Sequence, residues 1–151
     1  MVNFIALDPA NERSNPSYRN AAALAGRVLI ATIFVMSGAG KLADPAGTIA
    51  YIGAAGLPFA PIAYAGAVAV ELGGGIALVL GYRTRLAAAA MALFSVLAAL
   101  FFHSALADQN QMIHFFKNIA MAGGLLQVVA VGAGRLSLDG RRAAGSDLQP
   151  A

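Results

Sequence analysis

Four long apolar stretches constrain this chain more than any other feature. Each approaches the roughly 20 residues that cross a ~30 Å hydrocarbon layer as a helix. They cover residues 21–40, interrupted by Arg27; 62–81, interrupted by Glu71; 86–107, with His103 near the end; and about 112–134, with Lys117 and Asn118 near the start. Ala and Leu, strong helix formers, dominate all four, and an open sheet in lipid would leave backbone groups unsatisfied. The expected class is all-α, a four-helix transmembrane bundle in a lipid bilayer. Composition agrees: 59% of the 151 residues are hydrophobic and 11% charged, whereas soluble domains carry ~25% charged residues.

The segments outside these stretches are short. Residues 1–20 form a polar tail with Asp8, Pro9, Glu12, Arg13 and Pro16. It lacks the basic start, apolar centre and small-residue site of a secretory signal, so no cleavage is expected. Between the first two spans, Asp44 and Pro45 pair an N-cap with a first-turn proline. They predict a short interfacial helix from residue 45 to about 55, which lays Ile49 and Ile52 against lipid or protein. Residues 21–138 then make one membrane domain, and residues 139–151 a flexible tail. Arg13, Arg19, Arg83, Arg85, Arg135, Arg141 and Arg142 all fall on one side of such a bundle, which predicts cytoplasmic N- and C-termini.

Charge and composition narrow the function classes. The net charge is +3, but the ten Lys and Arg are spread along the chain and form no phosphate-gripping patch, so nucleic acid is not an expected partner. With no cysteine, the chain forms no disulfide, thiol relay or thiolate metal site by itself. His103 and His114 flank one loop without a second acid, and no metal or haem site is expected. Gly73, Gly74 and Gly75 lie inside a span with no Walker lysine after them, and read as helix-packing residues.

Ionisable groups inside a membrane normally face the bundle interior and find partners. Glu71 is the deepest, about 14 Å along the second span at the usual helical rise. Arg27 and Lys41 share a face of the first span with Phe34 and Ser37 between them, being fourteen residues, nearly four turns, apart. His103, Lys117, Asn118 and Lys41 belong to the outer half, with Glu71 beneath them. The candidate cluster is thus Arg27, Ser37, Lys41, Glu71, His103, Lys117 and Asn118. Two readings stay open: a structural ion pair that fixes helix register, and a polar pocket for a small polar, anionic or quinone-like ligand. A proton or solute path is a third.

Taken in order, several segments resemble the DoxX family of small bacterial membrane proteins. They are the run from Arg27 through Phe34-Val35-Met36-Ser37-Gly38-Ala39-Gly40-Lys41-Leu42, then Ala54-Ala55-Gly56-Leu57-Pro58, Glu71-Leu72-Gly73-Gly74-Gly75 and Gly81-Tyr82-Arg83-Thr84-Arg85. His103, Lys117-Asn118 and the closing stretch from Gly132 to Asp139 continue the pattern. The resemblance spans residues 19–139 and rests on order and spacing rather than on one motif. It implies a four-helix inner-membrane protein, the membrane subunit of a quinone-linked or oxidative-stress redox system with partner proteins, in which quinone is the candidate cofactor. The chain would be a subunit of an oxidoreductase complex rather than a self-sufficient enzyme, since it lacks cysteine. A homo-oligomer is among the expected assemblies; a non-catalytic scaffold or assembly factor and a small transporter are the alternative functions.

Overall fold

The structure, a computed structural model, describes residues 16–146. Most of the expected N-terminal tail (1–15) and the end of the C-terminal one (147–151) lie outside the described residues. Four helices are long and apolar enough to cross a membrane. They are α1 (Pro16–Ala43), α3 (Ala60–Leu80), α4 (Thr84–Phe102) and α5 (Gln109–Val131). Two shorter helices, α2 (Pro45–Ala54) and α6 (Leu138–Ser146), complete the described chain. No strand occurs among the described residues.

Helix ends follow local chemistry more closely than hydropathy. The fourth span begins at Gln109 because Asp108 caps it, accepting from the Gln111 amide at 2.8 Å. It stops at Val131 because Gly132 turns to φ 87°, a conformation that favours glycine. The third span ends at Phe102, and residues 103–107, which hydropathy alone joins to it, belong to the link to α5. The described part of the expected C-terminal tail lies in a helix, α6.

Packing centres on Ala31 and Phe34 of α1, Leu78 of α3, Ala88 and Met91 of α4, and Leu125 of α5. In lipid, close van der Waals contact rather than water exclusion holds spans together, and small residues permit it. A Cβ on Gly75 would stand 2.7 Å from Val35 Cγ2, and one on Gly74 would stand 2.9 Å from Met91 Cγ. These two glycines therefore bring α3 against α1 and α4, whereas Gly73 faces open space. Leu29, Met36, Ile62, Leu86, Leu93 and Leu126 point outward and are exposed, as suits a surface covered by acyl chains.

The short helix α2 starts at Asp44, whose carboxylate accepts from the Gly47 amide at 2.9 Å, with Pro45 in its first turn. It buries Ile52 and stacks Tyr51 on Phe102 of α4, with ring centroids 5.4 Å apart. One side of the bundle is thereby roofed between α1 and α4.

Candidate functional site

Glu71 sits where the second span departs from α-helical geometry. Residues Ala69–Gly74 form a π-helical turn in the middle of α3. Such turns insert an extra residue into the helical ladder and are frequent at functional positions. Here the turn brings Glu71 toward α1, where Gly38 makes room: a Cβ at Gly38 would stand 3.1 Å from Glu71 Cβ and 2.8 Å from Leu72 Cγ.

The carboxylate meets two side chains of α1. Lys41 Nζ donates to Glu71 Oε1 at 2.8 Å and to Ser37 Oγ at 2.9 Å, and Ser37 Oγ donates to the same Oε1 at 3.0 Å. Ser37 and Lys41 are one helical turn apart, so both reach a single carboxylate oxygen. Glu71 is 4% exposed, and its other oxygen, Oε2, has no hydrogen-bond partner among the described residues. A buried carboxylate oxygen left bare costs on the order of 1–3 kcal/mol or more.

A second polar group forms where α4 hands over to α5. The His103 and His114 rings stack, centroids 5.0 Å apart and 25° from parallel. His103 Nδ1 donates to Gln111 Oε1 at 2.9 Å, which leaves the Nε2 of neutral His103 as an acceptor. Lys117 Nζ donates to His114 Nδ1 at 2.8 Å, and Asn118 Nδ2 donates to the His114 carbonyl at 3.0 Å. Both groups border one cavity of about 470 Å³ walled mainly by apolar side chains, among them Phe34, Ile52, Phe94, Leu97, Phe101 and Met121. Ser37, Lys41, Glu71, His103, Lys117 and Asn118 all line it. Among the described residues no three His, Asp or Glu side chains come together.

Arg27 is the predicted cluster member that the fold places elsewhere. It is 1% exposed, and its guanidinium donates to the carbonyls of Leu78 (2.8 Å), Val79 (3.1 Å) and Leu136 (2.6 Å). Sharing a helix face with Lys41 does not bring it near, because fourteen residues of helix span about 21 Å. Arg27 thus ties α1 to the far end of α3 and to the link after α5.

That far end holds a group the sequence reading leaves in a tail. Asp139 Oδ1 accepts from the Arg83 amide (2.9 Å), and Oδ2 accepts from the Thr84 amide and hydroxyl (both 2.8 Å). The carboxylate caps α4 from 55 residues away. Burial pushes the Asp139 carboxyl up, but the hydrogen bonds from Thr84 and Arg83 and the charge of Arg142 outweigh it and hold the group below its ordinary range. Arg83, at φ 43°, offers no side-chain cap of its own, so the first amides of α4 take their acceptor from Asp139.

The profile of the DoxX family matches residues 22–104. Two relatives are inner membrane proteins of Escherichia coli K12. The chain is 36% identical to Inner membrane protein YqjF over 118 residues, which cover 77% of this chain and 88% of that one. It is 32% identical to Inner membrane protein YphA over 123 residues, which cover 78% and 88% respectively. No solved structure matches the chain. With the four spans already described, these matches make the chain a member of the DoxX family and a multi-pass protein of the inner membrane.

Proposed function

We propose that the chain is the membrane subunit of a redox system, and that its cavity binds a small amphipathic ligand of quinone or quinol type. The observation that carries this reading is Glu71 Oε2, a buried carboxylate oxygen without a partner on a residue lining a largely apolar cavity. Small-molecule sites combine such walls with a few convergent polar groups and occupy roughly 300–1,000 Å³. A quinol head fits that chemistry. One hydroxyl donates to Glu71, while Lys117 and His103 serve the oxygen on the opposite side of the ring. Ile33, Tyr51, Leu97 and Phe101 line the cavity and are also exposed, which suits a ligand arriving sideways from lipid. A quinone, when bound, supplies a carrier of two electrons and two protons. The chain's own residues hold, orient and neutralise it. Partner proteins supply the other half of the redox couple in this reading.

In the same reading both termini are cytoplasmic, the Lys41 end of the bundle faces outward, and α2 lies at the outer interface. A non-catalytic scaffold is the second reading. It draws on the Lys41–Glu71 pair, which joins α1 to α3.

Purification in mild detergent, followed by a visible spectrum and mass spectrometry of extracted lipids and proteins, tests the proposal. A stoichiometric quinone or related amphiphile, lost from the separate variants Glu71→Gln and Lys117→Met while their folding is normal, is the expected result. A colourless preparation holding bulk lipid alone, with the double variant fully functional in cells, supports the scaffold instead.

A further inference from the structure

The end of the bundle opposite Glu71 carries its own cleft, between the start of α4 and the end of α5. It is a shallow, open cleft lined by Arg83, Thr84, Arg85 and Leu86 on one side and by Val131 to Gly134, with Asp139 and Gly140, on the other. Its one carboxylate is turned to the backbone, since both Asp139 oxygens are taken by Arg83 and Thr84 donors. Among the described residues no carboxylate lies within ion-pair distance of Arg83 or Arg85. The Arg83 guanidinium stands 6.0 Å from the Tyr82 ring centre. Arg85 makes one contact at the limit of a hydrogen bond, 3.5 Å to the Ala130 carbonyl. The Arg85 guanidinium lies over Gly132, at φ 87°, where a Cβ would stand 3.5 Å from Arg85 Nε.

Two guanidiniums with unspent donors call for an anion, and guanidinium matches phosphate in pairs of parallel hydrogen bonds. The surroundings say which kind. Leu86 and Val131, at the cleft's membrane side, are 64% and 71% exposed. A molecule seated here meets charge at the helix ends and apolar surface directly below. Inorganic phosphate uses the first feature alone, whereas an anionic phospholipid uses both. We propose that this cleft binds the phosphodiester headgroup of an anionic phospholipid, with its acyl chains along Leu86 and Val131. The site is separate from the Glu71 cavity and independent of any redox role.

The test is the thermal stability and lipid affinity of the full chain in neutral detergent, with added phosphatidylglycerol, phosphatidylcholine or millimolar inorganic phosphate. Phosphatidylglycerol alone is expected to raise the melting temperature and to bind saturably. Removing both charges in R83Q/R85Q should weaken that binding about thirtyfold, at the usual contribution of a basic residue near an anionic headgroup. R19Q removes a charge of α1 outside the cleft lining, and should leave the affinity within about threefold. If the double variant in the cleft fails to fold, R85A carries the test, because Arg85 makes just the one long contact; about fivefold weaker binding is expected. Equal stabilisation by phosphatidylcholine, equal stabilisation by phosphate alone, undiminished binding in R83Q/R85Q or R85A, or a loss in R19Q equal to that in R85A would each overturn the assignment.

Discussion

The two ends of this bundle spend their charges differently. At the Arg83 end, the Arg27 guanidinium reaches three backbone carbonyls and the Asp139 carboxylate receives three hydrogen bonds. Those charged groups are spent mainly on backbone, joining α1, the end of α3, the start of α4 and the chain after α5. At the Lys41 end, side chains bind side chains, and one oxygen of Glu71 is left over beside a cavity. Charge spent on backbone is structural. Charge left incomplete, at Glu71 and at the Arg83 and Arg85 guanidiniums of the opposite end, is available to a ligand. Even the helix geometry divides this way, because the π-helical turn occurs at Glu71 and costs the ladder regularity that the opposite end preserves.

The largest effect should come from Arg27. Substitution by Met removes the side-chain donor shared by the Leu78, Val79 and Leu136 carbonyls and should cost about 3 kcal/mol, read as a steep fall in the melting temperature of the solubilised protein. An unchanged melting temperature would break the comparison at once. Gly38→Ala comes next. Its Cβ would press on Leu72 and on Glu71 Cβ, and prying α1 from α3 should cost on the order of 1–2 kcal/mol and lower ligand occupancy with it.

Asp139→Asn removes a charged cap from α4 and should cost about 1 kcal/mol. The pH dependence sharpens the point. Because the folded-state carboxyl titrates below its ordinary value of 3.8, its stabilisation is complete above that value and drains away as pH falls through the lower folded-state range. Acid melting curves of D139N should therefore be flatter there than those of the wild type. The smallest change in stability, under about 1 kcal/mol, is expected from E71Q. Its amide oxygen still accepts from Ser37 and Lys41, so folding should survive while ligand binding does not.

Much of this was legible in the sequence, for definite reasons. Spans announce themselves through length and hydropathy, and Ser37 and Lys41 share a face because four residues make about one turn. That Glu71 would meet a cation follows from the cost of a lone charge in lipid, although the choice of Lys41 over Arg27 depends on axial height, which facial periodicity ignores. The π-helical turn leaves no pattern in composition. Gly74 and Gly75 signal close packing but say nothing of the ladder beside them. Asp139 escaped because its role is set by a partner 55 residues away that local reading cannot pair with it, and Gln111 escaped because an uncharged amide near a helix start carries no distinguishing spacing.

Equilibrium binding of a water-soluble hydroquinone to delipidated protein, wild type against E71Q, bears most directly on the claim that the bare oxygen is a ligand acceptor. Saturable one-site binding that weakens about tenfold to a hundredfold in E71Q, as loss of a hydrogen bond to a charged acceptor dictates, with a melting temperature near that of the wild type, is the predicted outcome. Equal affinity in the two proteins, or no saturable binding to the wild type, would contradict it.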